Sequence, residues 1–255
     1  LDPMATGVLV IGINRATRLL GHLSLHDKDY TATMRLGVST VTDDAEGDVT
    51  AITDASGIDD AAILAALARQ PGEILQVPTA VSAIKINGQR AYAKVRAGED
   101  VVLKPRAVTV SRFEATEIRR HGEVIDVDVE VTCSSGTYVR ALARDVGADL
   151  GVGGHLTALR RTRIGPFDLT AACPDIFADD EVAPTPMTMA EAAGLSFPVV
   201  EVTDDQEAAI RVGRRLDLTV PADVTAMFAR TGEMLALYRP DGEKKERRRA
   251  ICVLV

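Results

Sequence analysis

The sequence predicts an α+β protein: a mixed, mostly antiparallel sheet with flanking helices, followed by a small β-rich domain. Three observations lead to this prediction. Residues 125–133 alternate strictly between apolar and polar side chains, as in a half-buried strand of an antiparallel sheet. Short apolar runs separated by glycine and proline turns fill residues 199–255. Residues 138–150 carry four aliphatic side chains on one helical face, namely Val139, Leu142, Val146 and Leu150.

The chain opens with the run Leu-Asp-Pro-Met-Ala-Thr-Gly, which places a carboxylate where a turn or helix would begin. Asp2 can accept hydrogen bonds from free backbone N–H groups, and Pro3 fits a first turn because its missing N–H costs nothing there. A carboxylate held in this way is rigid and can also be directed into a cleft. The run by itself therefore leaves two functions open, a structural cap and a reactive group.

Between the opening run and the alternating strand, the pattern changes several times. Residues 30–37 are typical of a strand, and residues 59–70 place apolar side chains at helical spacing before a Pro-Gly pair. Residues 76–104 show little apolar periodicity and several basic groups, so we expect a long, partly mobile functional loop. Residues 106–116 are predicted to form the next strand.

The helix predicted after the alternating strand contains an arginine, Arg140, in its first turn. A cation is unfavourable at that position because the helix dipole is positive at the amino-terminal end. A nearby carboxylate would offset this cost. We therefore expect Arg140 to have an acidic partner elsewhere in the fold.

The prolines divide the chain into domains. Residues 171–198 contain four prolines around a short stretch rich in Met and Ala, which is typical of a linker with a small helix. We predict one domain over residues 1–173, a linker over 174–198 and a second domain over 199–255. A chain of 255 residues is long enough for this arrangement without a metal or a disulfide to stabilise it.

The composition excludes several classes of protein. The hydrophobic content of 46% is ordinary for a globular protein, and no apolar run approaches the roughly 18 residues of a membrane-spanning helix. The three cysteines are far apart and form no Cys-x-x-Cys pair, which favours reduced thiols. We expect a cytoplasmic protein with no membrane partner.

The charge pattern is uneven. A net charge of −8 argues against indiscriminate binding to nucleic acid, whose phosphates are held mainly by Lys and Arg. The basic residues nevertheless cluster in residues 85–106, 160–163 and 244–249. Each cluster alone could be a solvated helix face or loop. Three clusters on an acidic chain indicate a focused RNA-binding surface.

Four ordered segments within about the first 170 residues resemble motifs of the TruB-type tRNA pseudouridine synthases. The opening run resembles the L-D-P-x-A-T-G motif, and residues 28–37 resemble the K-x-Y…R-L-G strand. Residues 40–47 resemble the T-D-T-x-D-x-x-G loop, with Val41 in place of its first Asp. Residues 133–161 resemble the C-S-x-G-T-Y-I-R…L-R-R block. Family members carry a strand or two and a G-H-x-G segment before L-D-P, so we expect this catalytic domain to lack its first edge.

The resemblance implies the pseudouridine synthase fold, a PUA-like RNA-binding domain over residues 199–255, and a thumb loop over residues 76–104 that grips RNA. It also implies conversion of uridine 55 in the T-stem-loop of tRNA to pseudouridine, by a monomer that needs no metal and no cofactor. Asp2 would be the nucleophile and Arg140 its ion-pair partner. Asp44 would hold Arg140 from the other side, with a plain turn residue as the alternative.

The resemblance also implies which residues contact the substrate, because a uridine in a folded RNA arm must be flipped into the enzyme. Tyr30 is expected to stack on the base, Tyr138 to contact the base or its ribose, and Leu159 to form an apolar wall. Core packing is the alternative for Tyr30 and Leu159. Phosphate contacts are expected from three basic side chains, with solvated charge as the alternative: Lys85, Arg90 and Arg106.

Three other functions stay open at this point. One is an RNA-guided relative of the same catalytic domain that works with partner proteins, although the short carboxyl-terminal domain and the long segment 76–104 favour a stand-alone enzyme. A second is a non-catalytic factor that folds tRNA. A third is catalysis by a nucleophile–base pair of Cys133 and His155, for which the sequence suggests no orienting Asn or Asp.

Overall fold

The structure, a computed structural model, describes residues 1–79, 85–86, 89–90, 104–173, 185–214, 216–217, 220–241 and 244–254. The chain divides into two compact units. The larger unit comprises Leu1–Leu9 and Leu25–Thr170, and the smaller unit comprises Val10–Ser24 and Ala171–Val255. Residues 10–24, which the predicted domain 1–173 includes, therefore group with the smaller unit. Most of the predicted thumb loop 76–104 lies outside the described residues.

The secondary structure is dominated by strands. In chain order they are β1 (Thr6–Gly7), β2 (Lys28–Leu36), β3 (Val38–Thr40), β4 (Val49–Ile52), β5 (Gly72–Gln76), β6 (Lys85–Ile86), β7 (Gln89–Arg90), β8 (Arg106–His121), β9 (Val124–Cys133), β10 (Gly154–Ile164), β11 (Phe167–Asp168), β12 (Val199–Glu201), β13 (Leu216–Asp217), β14 (Thr225–Phe228), β15 (Met234–Asp241) and β16 (Lys244–Val253). The α-helices are α1 (Leu20–Leu23), α2 (Asp60–Ala68), α3 (Val139–Asp149), α4 (Met189–Ser196) and α5 (Asp204–Arg211), and a 3-10 helix covers Asn14–Arg18.

A seven-stranded sheet organises the larger unit. Its strands follow the order β1–β10–β2–β9–β8–β5, with β11 paired to β10. The short β1 runs parallel to β10, and the other described neighbours are antiparallel. The predicted mixed, mostly antiparallel sheet is therefore confirmed.

The central strand β9 shows why the alternating sequence pattern was informative. Its odd-numbered side chains lie in the core, and its even-numbered acidic side chains lie on the opposite face. On that face Asp126 pairs with Arg35 of β2, and Asp128 pairs with Arg119 of β8. We call the side of the sheet that carries these cross-strand ion pairs the outer face.

Two helices cover the core side. Asp59 caps α2 by accepting a hydrogen bond from the backbone N–H of Ala62, and the helix confirms the prediction for residues 59–70 except at its ends. Helix α3 confirms the prediction for residues 138–150 and buries Leu142 and Val146. It approaches β10 closely at Gly147, where an added Cβ would lie 2.2 Å from the carbonyl carbon of Gly153. A larger residue at this position would push the helix off the sheet.

The smaller unit has its own core. Its five strands follow the order β12–β14–β15–β16–β13, and their buried side chains include Met227, Leu235 and Tyr238. The 3-10 helix joins this unit through the guanidinium of Arg18, which donates to the Val253 carbonyl at 2.7 Å. Helix α4 lies in the stretch 174–198 that was predicted as a linker, but it groups with the smaller unit, and it begins with a capping box. In the described part of the chain, all helices are too short or too polar to span a bilayer.

Candidate active site

The opening run forms a turn that is anchored to the sheet. The Asp2 carbonyl accepts a hydrogen bond from the Ala5 N–H at 3.0 Å, so the predicted turn is present. Beyond it, the Val8 N–H donates to the Arg161 carbonyl, and the buried Arg161 side chain donates back to the Val8 carbonyl, each at 2.8 Å. Gly7 has a φ of 97°, and a Cβ there would lie 2.0 Å from the Arg161 carbonyl oxygen. The turn is thus fixed at a position that only glycine permits.

Arg140 is the centre of the site. Its side chain is 7% exposed, although it begins on the first turn of α3. The guanidinium contacts Asp2 through two nitrogens, with Nε 2.9 Å from Oδ2 and Nη2 3.0 Å from Oδ1. The Nη2 contact is a charge-assisted hydrogen bond, and the Nε contact adds a second ion-pair distance to the same carboxylate. The Asp2 side chain remains 31% exposed, so one side of its carboxylate is accessible to solvent or substrate.

Asp44 binds the third nitrogen of Arg140. Its Oδ2 lies 2.9 Å from Nη1, and its side chain is only 3% exposed. The other oxygen of Asp44 accepts hydrogen bonds from the Thr42 hydroxyl and from the Glu46 N–H. The Thr42 carbonyl also accepts from Arg140 Nη1 at 3.0 Å. The loop after β3 therefore holds Arg140 from the side opposite to Asp2, as expected from the sequence.

A second arginine of α3 binds the same loop. Arg144 lies one turn beyond Arg140, and its Nη1 is 3.1 Å from Oδ2 of Asp43. Burial raises the pKa of Asp43, and the Arg144 charge acts in the opposite direction. Asp43 also adopts a φ of 58°, which Asp tolerates better than most residues. Neither Arg144 nor Asp43 was predicted as a site residue, since an Asp-Asp turn and a helical Arg are common features of sequences.

Two further side chains support the site from a distance, and neither was predicted from the sequence. Gln76, at the end of β5, exchanges two hydrogen bonds with the backbone of Tyr138. Thr79 donates from its hydroxyl to the Thr42 carbonyl at 3.1 Å. Both are buried polar residues at the start of the segment 76–104, which the sequence predicts to be a loop.

The residues expected to contact a base occupy different environments. Tyr30 lies in β2 and is 8% exposed; burial raises its pKa to about 12, while a hydrogen bond with Arg161 acts in the opposite direction. Leu159 lies in β10, is 6% exposed and belongs to the same core cluster as Tyr30. Tyr138 is half-buried and precedes α3, two residues before Arg140. All three belong to elements that adjoin the Asp2–Arg140 pair.

The basic residues expected to bind phosphate are placed only in part. Lys85 and Arg90 face each other as backbone partners in the short β6–β7 hairpin, and their side chains lie outside what the structure describes. Arg106 is exposed at the start of β8, opposite Gln76 of β5. Among the described contacts, Arg106 makes none with Asp2.

The alternative pair of Cys133 and His155 is excluded by the register of the sheet. Cys133 lies opposite Lys28 of β2, and His155 lies opposite Arg35 of the same strand. Seven residues along a strand correspond to roughly 23 Å. Burial raises the pKa of Cys133 to about 11, which keeps the thiol protonated at neutral pH.

The three charged side chains Asp2, Arg140 and Asp44 determine what chemistry the site can perform. A partly exposed carboxylate is fixed by a buried guanidinium, and a second, fully buried carboxylate neutralises that guanidinium from behind. Such a carboxylate is oriented and accessible on one side, which suits covalent attack by an acid side chain.

Comparisons with known proteins point to one family. Residues 1–139 match the family model described as TruB family pseudouridylate synthase, N-terminal domain. Residues 140–175 match the model described as tRNA pseudouridylate synthase B C-terminal domain. The chain is 83% identical over 255 residues to the tRNA pseudouridine synthase B of Cutibacterium acnes, covering all of this chain and 86% of that protein.

A less similar relative has the same description, and a solved structure has a similar fold. The tRNA pseudouridine synthase B of Streptomyces griseus is 49% identical over 259 residues, covering 99% of this chain and 85% of that protein. Among solved structures, a chain of the crystal structure of a Cbf5-Nop10-Gar1 complex superposes with a TM-score of 0.63 at 26% identity. That match covers 99% of this chain and 72% of the other.

Proposed function

The chain belongs to the TruB family of pseudouridylate synthases, and from that premise we propose that it isomerises uridine 55 in the T-arm of tRNA to pseudouridine, with Asp2 as the nucleophile. The observation that carries the proposal is the Asp2–Arg140–Asp44 cluster. A single guanidinium, 7% exposed, binds both carboxylates with contacts of 2.9–3.0 Å, and of the two only Asp2 has an accessible side.

The reaction needs few components. The N1–C1′ bond of the uridine breaks, the base turns, and a bond from C5 to C1′ replaces it. C5 loses a proton and N1 gains one, so no electrons enter or leave. A covalent bond between the Asp2 carboxylate and the nucleotide would hold the two halves together during the exchange. Arg140 would keep that carboxylate oriented towards the nucleotide.

The flipped base would lie against the apolar side of the site. We propose Tyr30 as the stacking surface, Leu159 as a wall and Tyr138 as a contact to the base or ribose. A neutral Tyr30 fits this assignment, because a phenol with a pKa of about 12 stays uncharged next to a uracil ring. The exposed Arg106 and the hairpin carrying Lys85 and Arg90 are proposed to bind the RNA backbone, with segment 76–104 as the thumb loop.

The names of the relatives support tRNA as the substrate. The solved neighbour is a complex with two partner proteins, which is the type expected for an RNA-guided enzyme. The identity of 83% to a tRNA pseudouridine synthase B, against 26% to that neighbour, favours the stand-alone type. We propose that the protein acts as a monomer in the cytoplasm, where its three free thiols would stay reduced, and that residues 199–255 form a PUA-like domain.

The test is Asp2→Asn in the full-length protein. We expect a loss of pseudouridine formation of at least about 10⁴-fold, because the nucleophile is removed, with tRNA binding changed by less than about threefold. The measurement is a map of pseudouridine in tRNA after incubation, by mass spectrometry or by primer blocking after chemical labelling. Product at a position other than 55 in the wild-type reaction would contradict the proposed target.

A matched control is available in Asp128→Asn. Asp128 is also 31% exposed and also binds an arginine through two oxygens, but it lies on the outer face of the sheet. This variant should retain full activity. Equal losses in the two variants would show that Asp2 has no special role. Undiminished product from Asp2→Asn would remove it as the nucleophile, and a wild-type protein that binds tRNA without making product would favour the folding factor.

A further inference from the structure

A buried amide connects the end of β5 with the start of α3. Gln76 is 2% exposed, and its Nε2 donates to the Tyr138 carbonyl at 3.0 Å. Its Oε1 accepts from the Tyr138 N–H at 2.8 Å. One side chain thus satisfies both backbone groups of a residue 62 positions away in the sequence. Such a reciprocal pair requires a group that donates and accepts at once, which Gln provides and Glu or Met does not.

The residue held in this way is the one that begins the catalytic helix. Tyr138 is the N-cap residue of α3, and its side chain makes no capping hydrogen bond with the described residues. Its carbonyl also accepts from the N–H groups of Ala141 and Leu142, at 3.1 and 3.3 Å. Gln76 therefore holds the N-cap residue through both of its backbone groups and fixes the direction in which the first turn leaves. Arg140 lies in that turn.

Two neighbours of Gln76 bind the same assembly. The Val77 carbonyl accepts from Nη2 of Arg144 at 2.9 Å. The Thr79 hydroxyl donates to the Thr42 carbonyl, the same oxygen that accepts from Arg140 Nη1. Residues 76–79 thus contact the N-cap of α3, the second arginine of α3 and the loop that carries Asp44. Of these contacts, the Gln76 pair is the one nearest to Arg140 along the chain.

We propose that Gln76 is a positioning residue for Arg140. It holds the first turn of α3 so that the guanidinium reaches Asp2 and Asp44 together, and it does so without touching the nucleotide. The inference rests on the proposed function, in which the Asp2–Arg140 pair is catalytic. A displacement of about 1 Å in such a pair lowers the rate of chemistry and leaves the binding of a large substrate unchanged.

The experiment compares Gln76→Met with wild type in the full-length protein. Methionine has nearly the same volume and fills the same space, and it cannot make either hydrogen bond. We expect kcat for pseudouridine formation in tRNA to fall at least about 10-fold, with KM changed by less than about twofold. A substitution that only loosened the fold would lower the thermal midpoint without this separation of kcat from KM.

The matched control is Gln206→Met. Gln206 also accepts a backbone N–H with its Oε1, from Thr203 at 2.9 Å, but it caps α5 in the smaller unit. This control should keep the wild-type kcat. Gln76→Asn serves as a second variant that stays polar, yet is one methylene too short to bridge both groups, and it should lose kcat in the same way.

The outcomes separate the two proposals. A wild-type protein that makes no pseudouridine in tRNA would defeat the proposed function itself. An active wild type with unchanged kcat in Gln76→Met would defeat the positioning role alone. Equal losses in kcat for Gln76→Met and Gln206→Met would do the same, as would failure of both Gln76 variants to fold, since the amide would then serve the fold rather than Arg140.

Discussion

Two arginines of the larger unit each lie between two carboxylates, and their contacts are nearly alike. Arg140 binds Asp2 and Asp44, whereas Arg119 binds Asp128 and Glu117 on the outer face of the sheet. The contacts fall between 2.5 and 3.0 Å in both clusters, and the first carboxylate of each is 31% exposed. The contact distances alone therefore do not distinguish the Arg140 cluster from the Arg119 cluster.

Burial separates the two clusters. The Arg140 side chain is 7% exposed and Asp44 is 3% exposed, whereas Arg119 is 33% exposed and Glu117 is 60% exposed. Water screens the charges of the outer pair, so removal of either partner costs little stability. In the inner cluster, removal of one charged side chain leaves its partner buried without an opposite charge beside it. The same residue types therefore make a solvated surface at one place and a constrained site at the other.

The largest difference is expected from removing the arginines. Arg140→Met should lower pseudouridine formation at least about 100-fold, because the carboxylate that it orients is released. It should also destabilise the larger unit by about 3–5 kcal/mol, because Asp44 stays buried and unpaired. Arg119→Met should change stability by less than about 1 kcal/mol and leave activity intact. Urea denaturation at a constant m-value measures the stabilities.

Similar losses of stability in the two arginine variants would contradict the argument from burial. A stable Arg140→Met protein without activity would also contradict it, because leaving Asp44 buried without a partner would then cost no stability.

A second comparison uses two glycines with positive φ, one beside each cluster. Gly7, in the run that carries Asp2, has a φ of 97°, and a Cβ there would lie 2.0 Å from a backbone oxygen. Gly122, in the turn after β8, has a φ of 65° and no atom within 4 Å of an added Cβ among the described residues. Gly7→Ala should cost about 2–3 kcal/mol and displace Asp2. Gly122→Ala should cost about 1 kcal/mol, from backbone strain alone.

The readouts for this pair are the unfolding free energy and the rate of pseudouridine formation. Gly7→Ala should lower both, while Gly122→Ala should lower only the first. A Gly7→Ala protein with normal activity would mean that the opening turn can shift without moving its carboxylate, and the rigidity inferred for Asp2 would be wrong.

Local patterns explain which parts of this structure could be predicted. Strand β9 and helix α3 follow from side-chain periodicity, because alternation and helical spacing report directly which face is buried. The partnership of Arg140 was also expected, since a cation in a first helical turn requires an acid. The strand and the helix depend on residues close together in the chain, whereas the choice of Asp2 and Asp44 as partners of Arg140, 138 and 96 positions away, also needed the family resemblance.

The contacts that escaped prediction join distant residues. Gln76 reaches a backbone 62 positions away, and the side chain of Arg161 reaches Val8 across 153 positions. Nothing in the local sequence distinguishes a buried amide of this kind from an exposed one. The same reason applies to residues 10–24, which the predicted domain 1–173 includes although they group with the smaller unit.

The smallest expected effect concerns the outer cluster and its dependence on pH. A hydrogen bond from Arg119 lowers the pKa of Asp128 below its ordinary value, against the opposing effect of desolvation. Because the folded-state pKa is lower than the unfolded value of about 3.9, the pair stabilises the fold above that pH. This contribution is lost as the pH falls through the folded-state pKa. Exposure limits it to less than about 1 kcal/mol at neutral pH.

The difference in unfolding free energy between wild type and Asp128→Asn should therefore be small at pH 7 and smaller still at pH 3. It should also shrink in 1 M salt, where the screening length is about 3 Å. The corresponding difference for Asp44→Asn should persist in 1 M salt, because that carboxylate is shielded from ions by the protein. An Asp128→Asn effect that is large and insensitive to salt would mean that the outer pair is as constrained as the inner one, and burial would no longer distinguish the two arginines.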